Sequence, residues 1–144
     1  MSKARKLYVI ASALCAFVFA PAAHAEANKV VIGDIDDMSG VYADIIGPGG
    51  VEAAKMAVAD FGGSVLGKKI EFLVTDHQNK PDLGAEKFRE WADRDGLTMV
   101  LGGSNTGVSI AMTTIAREKT PFFAIGAAGA SLTGKDCTAY TSQH

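Results

Sequence analysis

Residues 98–125 read TMVLGGSNTGVSIAMTTIAREKTPFFAI, and this stretch decides the fold. Thr98 to Leu101 is a short apolar run closed by Gly102-Gly103, the pattern of a buried strand. From about Asn105 to Lys119, Val108, Ala111, Met112, Ile115 and Ala116 recur at helical spacing. Pro121 ends that helix, and Phe122 to Ile125 is apolar again. A strand, a glycine turn, a helix and a second strand in so short a span form a βαβ unit. Its two strands must lie parallel, with the helix crossing one face of their sheet.

The same alternation extends upstream. Lys29 to Ile35 is a β-branched run and reads as a strand, followed by a Gly- and Asp-rich loop, Asp36 to Gly50. Val51 to Phe61 is helical, with Val51, Ala54, Val58 and Phe61 on its inner face, and Gly62-Gly63 stops it. Val65 to Lys68 reads as a turn, Lys69 to Thr75 as a strand and Asp76 to Pro81 as a loop. Asp82 is placed to cap a helix running to about Asp95, with Ala85, Phe88 and Ala92 facing inward, Trp91 packing beside Phe88, and Gly96 at the stop. The order β-α-β-α-β-α-β predicts an α/β three-layer sandwich with a mainly parallel sheet. Ligands of such sheets bind beyond the carboxyl ends of the strands. Here those ends open into segments 36–50, 76–82, 102–106 and 126–131.

The chain begins differently. Lys3, Arg5 and Lys6 precede an apolar run, Leu7 to Phe19, and then Pro21 and Ala23-His24-Ala25. A basic start, a short apolar core and an A-x-A exit make a secretory signal, so residues 1–25 are set apart from the fold, residues 26–144. The run is short for a membrane span, and the residues before Cys15 do not form a lipid-attachment box. An exported, periplasmic chain without direct membrane insertion is expected. After Ala25 there remain 11 Lys/Arg against 16 Asp/Glu, and this acidic balance argues against nucleic-acid binding. One cysteine, Cys137, remains, which is odd for an oxidising compartment. It reads as a buried thiol or as one whose partner lies elsewhere. With the abrupt end at Thr141–His144, it leads us to expect an N-terminal fragment.

The motifs of common chemistries are missing. No glycine fingerprint for a dinucleotide or a nucleotide phosphate follows a strand, so no cofactor is expected. Gly102-Gly103-Ser104-Asn105-Thr106 has a glycine two residues before the serine but Thr106 two after it, so a nucleophile elbow fails. Asp34, Asp36 and Asp37 could hold a divalent cation or could form a solvated acidic loop; the second reading is preferred, and no metal is expected. His77 either lines the cleft or ties down its loop. A binding role has better support. Ser104, Asn105 and Thr106 open a helix, whose first turn carries unpaired N–H groups and a partial positive charge suited to a carboxylate. The same residues also fit an ordinary cap. The small loop Gly126–Ser131 leaves backbone groups approachable, and Tyr42 either walls a pocket or covers its loop.

These residues carry a family resemblance. Val31-Ile32-Gly33, Asp37-Met38-Ser39-Gly40, Gly47-Pro48-Gly49 and Ala53 to Val58 resemble the opening of the type I periplasmic solute-binding proteins of ABC importers, the Leu/Ile/Val-binding protein family. The likeness continues through Gly67 to Glu71, Asp76 to Asp82, Ile115 to Lys119 and Gly126 to Gly134. The resemblance implies a fold of two α/β lobes joined by three crossover strands, of which this chain is the first lobe. It implies a periplasmic, non-enzymatic component that captures a small carboxylate-bearing solute (a branched-chain amino acid, an aromatic or other organic acid, or an amide) in an interlobe cleft. A membrane permease would receive it. By the same resemblance Ser104, Asn105 and Thr106 grip the carboxylate with Ala127, Ala128 and Gly129, while Ser39 and Tyr42 line the cleft. Amino-acid binders often have a hydroxyl in the loop after the fourth strand; here none occurs before Ser131, which speaks against an α-ammonium contact. The Asp76–Lys80 stretch is more similar to the branch that takes aromatic or other organic acids and amides. Two rivals from other classes share these features: a ligand-sensing receptor domain, and a secreted hydrolase using Ser104.

Overall fold

The computed structural model describes residues 28–117 and 120–144. The expected signal segment, residues 1–25, and the expected last turn of the third helix fall outside them. Six strands form one sheet: β1 (Lys29–Asp36), β2 (Ser64–Val65), β3 (Lys68–Asp76), β4 (Leu97–Gly102), β5 (Phe122–Ala124) and β6 (Thr141–Gln143). Three helices connect them: α1 (Gly47–Asp60), α2 (Pro81–Arg94) and α3 (Thr106–Ala116). The strand order is β2-β3-β1-β4-β5-β6. All pairings are parallel except β2 with β3, a tight hairpin turning at Leu66 and Gly67, both at positive φ. The α/β architecture is as expected. The chain steps from β1 outward to β3 and then back across to β4, so the loops after β1 and β4 diverge at the centre of the sheet. In open parallel sheets such a switch point, at the carboxyl ends of the strands, is where ligands bind.

Helices α2 and α3 pack together on one face, over Val31, Ile35, Val100 and Phe122. Phe88 and Phe122 meet edge to face at 6.0 Å, and Met112 and Val108 fill the space between the helices and the sheet. Gly33 lies beneath Trp91, where an added methyl would meet the indole at 2.8 Å. Burying each large apolar side chain here contributes about 1.5–3 kcal/mol. The α1 face is looser. Val51 is buried, but Ala54 and Val58 are only half-buried, and Phe61 is exposed at the helix end. Ala54, Val58 and Phe61 line an open groove of about 430 Å³ against Val30, Ile32 and Phe72.

Several expectations need correction. α1 starts at Gly47 rather than Val51 because Pro48 fits the first helical turn. Asp82 does not cap α2: Lys80 is the capping residue, Pro81 starts the helix, and Asp82 sits within the first turn, where its charge still suits the helix dipole. The described part of α3 runs to Ala116, and its expected continuation to about Lys119 lies outside the described residues. The presumed turn at Val65 contributes to β2, and Thr141–Gln143 forms an unexpected strand on β5. Cys137 is a free, exposed thiol and not a buried one. No helix among the described residues is long and apolar enough to cross a membrane.

Candidate functional site

The candidate site at the switch point is built from the end of β4. Gly102 has φ +113°, and a side chain there would run into the Ile35 carbonyl, so β4 and β1 close tightly at this point. Gly103 donates to the Ile35 carbonyl at 2.8 Å. The Ser104 N–H donates to Asp36 Oδ1 at 3.0 Å, and Ser104 Oγ accepts from the Asp37 N–H at 3.4 Å. Ser104 is therefore buried, tying the β1 and β4 loops together. Asn105 caps α3: its Oδ1 accepts from the N–H groups of Gly107 at 2.6 Å and Val108 at 3.2 Å. Thr106 Oγ1 accepts from the Gly129 N–H at 3.1 Å. A side chain at residue 129 would collide with Thr106, so glycine sets the approach of the two loops.

The first loop is organised by acids. Asp37 is fully buried, and its carboxylate accepts from the Gly40 N–H at 2.8 Å and the Tyr42 N–H at 3.0 Å. Asp76 accepts from Ser39 Oγ at 2.6 Å and from the N–H groups of Met38 and Gln78 at 3.0 and 2.7 Å. Burial pulls the Asp76 carboxyl up, but the Ser39 hydroxyl and the Gln78 and Met38 N–H groups outweigh it and hold it below its ordinary range. The Asp34, Asp36 and Asp37 cluster is not the solvated loop expected: all three side chains are buried. Burial first, then the Asp36 charge, pushes Asp34 up to about 7. Burial raises Asp36 to about 6 against the opposing Ser104 hydrogen bonds. Among the described residues no three such groups are placed to share a metal ion.

The serine-nucleophile alternative meets a geometric objection. Ser104 Oγ lies 3.4 Å from His77 Nε2, but His77 Nδ1 accepts from the Asn79 N–H at 2.9 Å. Nδ1 therefore has no proton, and the neutral ring carries it on Nε2, facing the serine. Such a ring cannot take the serine's proton. Burial lowers the His77 pKa, which keeps the ring in that neutral form. His77 is wholly buried and ties its own loop.

The expected site residues gather at one end of the sheet, with unequal access. Ser39 and Ala128 are exposed; Tyr42, Asn105, Thr106 and Gly129 are half-buried; Ser104 and Ala127 are buried. The Ala127 carbonyl accepts from Gln143 Nε2 at 2.6 Å, so β6 braces the loop after β5. Asp37, Asp76 and Gln143 are supports that the sequence reading did not assign. An Asp followed three residues later by Gly, as in Asp37 to Gly40, is the signal that could have found the first.

The model of the family described as periplasmic binding protein matches residues 29–143. The chain belongs to this family. A periplasmic binding protein from Burkholderia mallei is 54% identical, with a TM-score of 0.78 over 80% of this chain and 31% of that one. A branched-chain amino acid ABC transporter periplasmic ligand-binding protein from Burkholderia xenovorans is 35% identical, with a TM-score of 0.74 over 78% and 30%. A solute-binding protein of an ABC transporter from Rhodopseudomonas palustris, solved with 4-hydroxybenzoate, is 26% identical, with a TM-score of 0.71 over 80% and 31%. Comparison with the curated proteins finds no match. This periplasmic binding protein chain thus spans about a third of the length of the solved relatives it matches.

Proposed function

We propose that the chain supplies the carboxylate-gripping side of an interlobe cleft in the periplasmic substrate-binding component of an ABC importer. It takes up a small carboxylate-bearing solute reversibly, without chemistry, for delivery to a membrane permease. The observation that carries this reading is the set of donors at the start of α3. Thr106 Oγ1 accepts from Gly129 and keeps its own hydrogen to donate. Asn105 uses Oδ1 for capping, which leaves its amide NH₂ to donate. Both sit beside the positive end of the helix dipole. Ser39 differs: its hydrogen goes to Asp76, so towards a solute it acts as an acceptor. Benzoate-type and branched-chain amino acid ligands both offer the carboxylate this arrangement needs; the 4-hydroxybenzoate in the Rhodopseudomonas palustris relative and the branched-chain amino acid transporter name of the Burkholderia xenovorans relative support that class.

The test uses residues 29–143 grafted in place of the equivalent segment of the Burkholderia mallei relative, titrated with leucine, benzoate and 4-hydroxybenzoate by calorimetry. Changing Asn105 and Thr106 together to Asp should abolish binding of whichever solute is taken. Asp caps a helix as well as Asn does, so the fold survives while two donors become anions. Unchanged affinity in the double variant would refute the assignment.

A further inference from the structure

The α1 face holds a polar feature that the cleft does not use. Asp34 lies on β1 with its side chain on that face, 3% exposed, and its Oδ1 has no hydrogen-bond partner. Asp34 and Asp36 line a cavity of about 400 Å³ whose other walls include Ile46, Ala54, Leu101 and Ile125. Leaving a buried carboxylate oxygen unpaired is costly, because it has lost its water without gaining a partner. While protonated, Asp34 donates to Asp36; once ionised it loses that bond, and the cavity then favours an occupant that pairs with it.

The surroundings select its chemistry. An anion would be repelled by the two acids. A metal ion would need several oxygen ligands, and apolar walls supply none. A nitrogen cation on an aliphatic stem meets both requirements, with the head on the carboxyl and the stem on Ile46, Leu101 and Ile125. We infer that the cavity beneath α1 binds a protonated amine or guanidinium nitrogen, paired with Asp34 and flanked by Asp36. Two sources share this chemistry: a free alkylamine, and a Lys or Arg side chain of a polypeptide packed along α1. Nearby charges are Lys55 on α1, which is exposed and favours the ionised Asp34, and Asp36 and Asp37 on the β1 side. Ser104, beside His77, is bound to Asp36.

The experiment titrates the chain with n-butylammonium and guanidinium while following the ¹³C shift of the Asp34 carboxyl, with n-butanol as control. Saturable binding of the cations and a moving Asp34 signal are expected at pH 8, weakening about tenfold per unit below the carboxyl's pKa as its proton returns. Asp34→Asn should lose binding. Ala53→Leu should lose it too, by filling the cavity from an exposed position of α1 without touching the acid. Equal binding of n-butanol, no saturation, or an Asp34 signal that answers to Lys55→Met and not to the amine would overturn the inference. The two sources separate in the graft described above. An amine that still binds there identifies the free ligand; an Asp34 signal already at its bound position, and indifferent to amine, identifies a side chain of the remaining polypeptide.

Discussion

A carboxyl group shut away from water keeps its proton to higher pH, because the ionised form loses most of its solvation. Asp34 and Asp36 are both in this state, raised to about 7 and about 6. Their unfolded counterparts ionise near the ordinary value, about 3.9. Between pH 8 and 6.5 the folded chain therefore binds protons that the unfolded chain does not, and folding must strengthen as pH falls. His77 acts in the opposite sense, since its folded pKa is lowered: it subtracts progressively as the unfolded imidazole charges through about pH 6.5, which blunts the lower end of the rise. The midpoint of urea unfolding should thus rise from pH 8 to pH 6.5, and Asp34→Asn should flatten that rise. A midpoint that falls over this window would contradict the assignment. The burial behind this was hard to see in the sequence. Three aspartates within four residues look like a loop, yet Asp34 and Asp36 end β1 and face into the sheet layer. Only the packing of α1 and the β4 loop shuts them in.

Elements that carry their own signals were legible. The apolar spacing of α3, its Asn105 start and the glycines before it are local, and all three appear as read. β6 was not legible: Thr141–Gln143 has no strand pattern and gains its geometry from pairing with β5 and from the Gln143 bond to Ala127. The start of α2 was misread because a capping residue type, Asp82, follows a proline that already fixes the first turn. The α3 cap allows a direct measurement. Asn105→Ala removes the acceptor of two N–H groups and should lower stability by about 1 kcal/mol, whereas Asn105→Asp should stay within a few tenths of the parent. Equal losses in the two variants, measured by urea unfolding, would mean that the cap does not hold α3.

At the scale of the whole molecule, the chain presents two unequal faces. The α2/α3 side is a closed core, while the α1 side exposes Met56 and Phe61 above an apolar groove. The sequence pointed only to the carboxyl end of the sheet, as the rule for parallel sheets does; the strand order that marks the switch point between β1 and β4 is visible only in the fold. It could not indicate the solute, since the few donors proposed here would satisfy many carboxylates. A small solute bound here would keep much of its surface in water, whereas tight pockets bury 70–90% or more of a ligand. The isolated 144-residue chain should therefore bind its carboxylate solute at least about a hundredfold more weakly than the graft in the Burkholderia mallei relative, a difference of about 2.8 kcal/mol. Calorimetry on both proteins with the same solute checks this. Equal affinities would mean that these loops alone determine binding, and the interlobe reading of the site would have to be given up.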